Sequence, residues 1–153
     1  MGSKKIGIAL GGGGARGLAH IGALKILEEE KIKPDLLAGS SMGALVGALY
    51  AMGYSASDIE KEVKGFGKRK AASMAFDFSL RRSSVIKANK IREVLKIYFK
   101  DKKFSDLKIP LSIVACDIYT GEETILSEGS IADAVLASIS VPGIFPPFPY
   151  KGR

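Results

Sequence analysis

Twice in its first 52 residues the chain runs from a short apolar stretch into glycines and then into a helix-like segment, and this order admits few folds. Lys5-Ile6-Gly7-Ile8-Ala9-Leu10 leads into Gly11 to Gly14, after which Leu18, Ile21, Leu24 and Leu27 recur at helical spacing over Ala15 to Glu30. The acidic end of that helix, Glu28-Glu29-Glu30, opposes the helix dipole, so propensity alone does not account for it. Pro34 opens a second strand, Asp35 to Ala38, which enters Gly39-Ser40-Ser41-Met42-Gly43 and continues as Ala44 to Met52, apolar on every side as a buried helix would be. Strands alternating with helices predict an α/β fold with a mainly parallel sheet.

The rest of the chain extends this pattern. Gly53 ends the second helix, and Ser57-Asp58-Ile59-Glu60 reads as a capping box for a short helix closing near Gly65. Residues 66–84 are irregular, with Phe66, Met74, Phe76, Phe78 and Leu80 among lysines and arginines, and read as a loop or lid. Residues 87–99 return to helical spacing through Ile91, Val94, Leu95 and Tyr98 with a basic surround, a pattern that suits packing onto a core or lying on a membrane. Leu111 to Asp117 is an apolar strand that turns at Thr120-Gly121 into a hairpin. Its Cys116 reads as a small buried residue, and Ser130 and Asp133 cap a last helix ending near Ser138. One domain is expected over 153 residues.

The chemistry starts at Gly39-Ser40-Ser41-Met42-Gly43. G-x-S-x-G between a strand and a helix is the form of a nucleophile elbow, a turn so sharp that its flanks must be nearly free of side chains. Gly39 and Gly43 meet that need, and Ser41 is the candidate nucleophile, raised at the positive end of the following helix.

Gly12-Gly13-Gly14-Ala15-Arg16-Gly17 admits two readings. It fits G-x-G-x-x-G, and Asp35 follows at a distance suited to holding a ribose, as in a dinucleotide-binding fold. Equally, glycines at a helix start expose N–H groups that can hold the oxyanion of an acyl-transfer intermediate. The second reading uses both glycine motifs, with Arg16 adding a positive field; the first leaves the elbow unexplained.

Gly11 to Gly17 followed by Leu18-Ala19-His20-Ile21-Gly22, then Gly39 to Gly43, then Ala137-Ser138 with Pro142-Gly143-Ile144-Phe145-Pro146-Pro147, resembles the patatin-like phospholipases, their small bacterial members above all. The resemblance implies a three-layer α/β/α fold and a lipid acyl hydrolase with a serine–aspartate dyad. It implies Ser41 as nucleophile, Gly12, Gly13 and Gly14 as the oxyanion loop, and Arg16 at the family's basic position. The expected substrate is a phospholipid or other fatty-acyl ester.

A serine hydroxyl needs a base. His20 is the one histidine, but it precedes Ser41 and lies in the first helix, which suits a structural role. The family's aspartate lies in an Asp-Gly-Gly or Asp-Gly-Ala motif, and no Asp-Gly dipeptide occurs here; Asp117 and Asp133 have structural explanations as a strand-end and a capping residue. The expectation is an incomplete patatin-like domain over 1–153, inactive alone, with an uncovered sheet edge that invites self-association.

The net charge of +7 is concentrated: residues 61–103 hold 14 Lys/Arg against 4 Asp/Glu, which suggests contact with an anionic membrane surface or is a solvated face. No cofactor and no metal are expected, since no cluster has ligand spacing. No nucleic-acid partner is expected, for want of a recognition motif. A lone cysteine and the lack of a secretory signal after Met1 suit a cytoplasmic setting, peripheral to the membrane. The rival readings are a lipid-binding relative that has lost catalysis and, behind it, a nucleotide-binding module.

Overall fold

The computed structural model describes residues 4–65, 84–150 and 152. Strand β1 (Gly7–Leu10) leads through a 3-10 turn (Gly14–Leu18) to α1 (Ala19–Glu29) and β2 (Leu36–Ser40). Helix α2 (Met42–Ala51) follows, then α3 over 56–65 and α4 (Ser84–Phe99). A short 3-10 turn (Phe104–Asp106), the hairpin β3 (Leu111–Cys116) and β4 (Glu123–Leu126), and α5 (Ile131–Ile139) complete it. The sheet order is β1-β2-β3-β4, with the first three parallel and β4 antiparallel to β3. This is the expected α/β class with a mainly parallel sheet.

Register decides which side chains meet. Ile8 lies opposite Leu37, Leu37 opposite Leu111, and Ile113 opposite Leu126. Because side chains alternate between faces along a strand, these residues share one face. Helices α2 and α5 pack on the sheet there, with α1 beside α2 and α4 beside α5. The result is one core that includes Leu24, Leu37, Val46, Ile59, Phe99, Ile113 and Val135. Leu36 and Ile125, on the opposite face, stay 45% and 61% exposed. The sheet and its helices thus form two of the three layers that the resemblance implies.

Helix α2 is buried at all but Met42 and Leu45, as its apolar run predicts. Gly53 adopts φ +99 just past the helix and ends it. The capping of α3 differs from expectation. Ser55, not Ser57, accepts from the N–H of Asp58 at 3.1 Å, and its hydroxyl donates to the Asp58 carboxylate at 2.6 Å. Glu28 adds a second cap by accepting from the N–H of Ala56 at 3.0 Å. This resolves the unfavourable acidic end of α1, whose Glu28 serves the positive end of α3 instead. Glu28 also accepts from the Tyr50 hydroxyl, and burial followed by that carboxylate's charge pushes the Tyr50 pKa up.

At the hairpin, Gly121 (φ +75) donates to the carbonyl of Asp117 at 2.8 Å. Cys116 is exposed, contrary to the buried reading: it closes β3 opposite Glu123, on the sheet face opposite Leu111 and Ile113. Ser130 caps α5 by accepting from the N–H of Asp133, as expected. The basic helix read at 87–99 is α4, with Leu95 and Phe99 buried. The lid read at 66–84 falls almost wholly outside the described residues.

Candidate active site

Parallel strands deliver their C-terminal ends to one edge of the sheet, and that edge brings the two glycine motifs together. Leu10, the last residue of β1, pairs with Gly39 in β2, so the loop after β1 and the turn after β2 are neighbours. Ser41 occupies that turn with φ +53 and ψ −117. Lys31 and Lys100 also have positive φ, but both follow helix ends, where such values are common. Ser41 instead joins a strand to a helix, in a conformation that costs about 1–3 kcal/mol and must be enforced by its surroundings.

The two glycines show how. A Cβ on Gly39 would lie 2.7 Å from the Gly43 carbonyl oxygen and 2.8 Å from the Ala44 Cα. The start of α2 is therefore folded tightly back over the end of β2, and a side chain at either flank would push the turn open.

Ser41 is half-buried, and its Oγ has no hydrogen-bond partner among the described residues. Its main chain is held at both ends. The carbonyl accepts from Leu45 N–H at 3.2 Å, the first bond of α2. The N–H donates to the hydroxyl of Ser138 at 2.7 Å, and that hydroxyl donates to the carbonyl of Val114 in β3 at 2.6 Å.

The glycine loop lies against this turn. A Cβ on Gly12 would stand 3.4 Å from the Ser41 Cβ. Gly13 (φ +140) and Gly14 (φ +55) take values that side chains disfavour. The N–H groups of Gly12 and Gly13 donate to no other described residue, and both glycines are exposed. Arg16 is exposed in the 3-10 turn, with its N–H on the Gly13 carbonyl at 3.1 Å. Gly17 packs on the elbow: a Cβ there would be 2.7 Å from the Met42 Cβ. His20 donates from Nε2 to the carbonyl of Gly11 at 2.8 Å, so the histidine holds the loop from below.

Three sequence candidates lie elsewhere. Asp35 accepts from Ile6 N–H at 2.7 Å, just before β2 begins. It therefore stands at the opposite end of the strands from the glycine loop and cannot hold a ribose whose phosphates rest there. Asp117 accepts from the N–H groups of Tyr119 and Thr120 at 2.9 and 3.3 Å, and Asp133 pairs with Arg92 at 3.2 Å. Both carboxylates are engaged in local structure. Among the described residues no three His, Cys, Asp or Glu side chains converge as metal ligands would.

Sequence reading gave Ser138 no role of its own. The signal available was a small polar residue on α5, a helix otherwise buried through Ala132, Ala134, Val135 and Leu136.

The profile of the Patatin-like phospholipase family matches residues 8–153, nearly the whole chain. The chain belongs to the patatin-like phospholipase family. It is similar to mouse patatin-like phospholipase domain-containing protein 6, with 35% identity over 144 residues that cover 93% of this chain and 11% of that protein. It is also similar to the lysophospholipase NTE1 of Kluyveromyces lactis, with 33% identity covering all of this chain and 11% of that one. The chain thus spans about a tenth of the length of these two relatives. Among solved structures, the type III effector protein ExoU shares the fold, with a TM-score of 0.58, 18% identity, and coverage of 92% of this chain and 41% of that one.

Proposed function

We propose that this chain carries the nucleophile and oxyanion loop of a serine acyl hydrolase acting on a phospholipid or another fatty-acyl ester. The observation that carries this reading is Ser41, held at φ +53 with its Oγ unpartnered among the described residues and Gly12 against its Cβ. A turn serving structure alone would relax that strain by placing glycine at position 41.

In this reading the Ser41 oxygen attacks the ester carbonyl carbon and its proton passes to a carboxylate base. The carbonyl π electrons move onto oxygen, and the resulting oxyanion accepts from the free N–H groups of Gly12 and Gly13, with Gly14 shaping the loop. Arg16 adds positive potential. Collapse expels the alcohol or lysolipid, which takes up the proton, and water then hydrolyses the acyl-serine. The names of the relatives support a lipid ester as substrate.

The base in this proposal is an aspartate outside these 153 residues, completing the serine–aspartate dyad that the resemblance implies; Asp117 and Asp133 are engaged elsewhere. These residues alone would then be inactive. Lys96, Lys100, Lys102 and Lys103, exposed on and after α4, would face anionic headgroups at the lipid–water interface. No helix among the described residues is long and apolar enough to cross a membrane.

The test is fluorophosphonate labelling, alongside turnover of a fatty-acyl ester, of a protein that carries these residues together with the aspartate base. Ser41→Ala should abolish both. An unlabelled protein that still binds anionic vesicles would identify a relative without catalysis.

A further inference from the structure

We infer that Ser138 is a positioning residue that holds the nucleophile turn in its reactive shape. The inference rests on the proposed role of Ser41 and adds to it the side chain that keeps Ser41 in place.

The geometry fixes the direction of each hydrogen bond. Ser138 Oγ lies 2.6 Å from the carbonyl oxygen of Val114, which can only accept, so the single hydroxyl proton points there. A lone pair is left for the N–H of Ser41, 2.7 Å away. One hydroxyl thus ties the elbow to β3 and to α5. Ser41 sits at φ +53, so this tie opposes rotation of the peptide toward an unstrained conformation. Such a rotation would carry Oγ away from Gly12.

The same bond has a second effect. With its N–H committed to Ser138, Ser41 cannot donate that group to an oxyanion. Oxyanion stabilisation then falls to donors whose N–H groups are free, and Gly12 and Gly13 offer them. Ser138 therefore touches neither substrate nor reacting atoms, yet sets which amides can.

Three variants test this in a protein that carries these residues together with the aspartate base: Ser138→Ala, Ser138→Thr and Ser41→Ala, measured on a soluble p-nitrophenyl ester. Ser138→Ala should lower kcat tenfold to a hundredfold with KM within twofold, and should slow fluorophosphonate labelling of Ser41 equally. Ser138→Thr keeps the hydroxyl and should restore most of the rate. If Ser138→Ala fails to fold, Ser138→Cys replaces it under the same criterion, since a thiol keeps the volume but is a weak acceptor.

Wild-type kcat in the alanine or cysteine variant, or equal loss in the threonine variant, overturns the inference. Ser41→Ala separates the two proposals. If it stays active, the nucleophile reading fails and this one with it. If it is dead while Ser138→Ala is unimpaired, only the positioning role fails.

Discussion

Gly43 presses so closely on Leu10 that a Cβ added to it would lie 1.9 Å from the Leu10 carbonyl oxygen and 2.4 Å from the carbonyl carbon. Both obstructing atoms belong to the backbone and cannot swing aside as a side-chain tip could. Gly43→Ala should therefore separate α2 from β1 and cost more than the ~1–3 kcal/mol of ordinary overpacking. Thermal unfolding checks this; an unchanged midpoint would contradict the close approach.

Gly12 offers the opposite case. Its Cβ would meet the Ser41 Cβ at 3.4 Å, which is ordinary contact, and its φ is not in the left-handed region. Gly12→Ala should fold with nearly wild-type stability. In a protein that also carries the base, it should still lose roughly 10²–10³-fold in kcat by crowding the oxyanion position, the scale of a lost oxyanion donor. Unfolding and ester kinetics on one preparation make the comparison with Gly43→Ala.

Ser41→Gly should trade the other way. Glycine adopts positive φ without strain, so the variant should gain stability by up to about 1–3 kcal/mol while losing all turnover. A melting temperature below that of the parent would show that the turn is not strained.

His20→Ala should show whether the histidine holds the loop or acts as a base. Losing the 2.8 Å bond to the Gly11 carbonyl should cost about 0.5–1.5 kcal/mol of stability and a moderate fraction of the rate. Loss of a true base would instead cost about 10⁴-fold or more in kcat. Ester turnover across this range distinguishes the two.

Glu60 gives a pH-dependent outcome away from the site. Hydrogen bonds from Lys25, then from Lys64 at 2.8 Å, hold its carboxyl down from 4.5 to about 2. A depressed carboxylate contributes stability above its unfolded pKa and loses it as pH falls through the folded value. Glu60→Gln should therefore melt slightly below the parent at pH 7, and the gap should close between pH 4.5 and about 2. The Glu60 side chain is about a third exposed, so the gap is small and shrinks with salt. A gap that widened in acid would reverse the sign and refute the pairing.

The elements around the site were legible because local chemistry fixes them. Strand, glycines and helix in that order demand sharp turns, and Gly39 and Gly43 stand where any Cβ would collide. Contacts that depend on tertiary meetings were not legible. Ser55 and Ser57 each stand three residues before an acidic side chain, and Glu28, arriving from α1, marks the earlier one as the start of α3. Asp35 lay at a plausible spacing for a ribose, but spacing does not reveal which end of the sheet a residue occupies. Cys116 belongs to an apolar run, and only the register shows that it lies on the sheet face opposite the core residues Leu111 and Ile113. Ser138 stood in the sequence only as part of the third motif, and its reach to the elbow depends on the docking of α5 beside β3.

That reach has a temporal consequence. Ser41 and Ser138 stand 97 positions apart, and a ribosome releases the first long before it makes the second. Until the second emerges, the growing polypeptide lacks the hydroxyl that ties the serine turn to β3. The turn takes its final shape only when the last described helix has docked, so the order of translation itself delays maturation of the site.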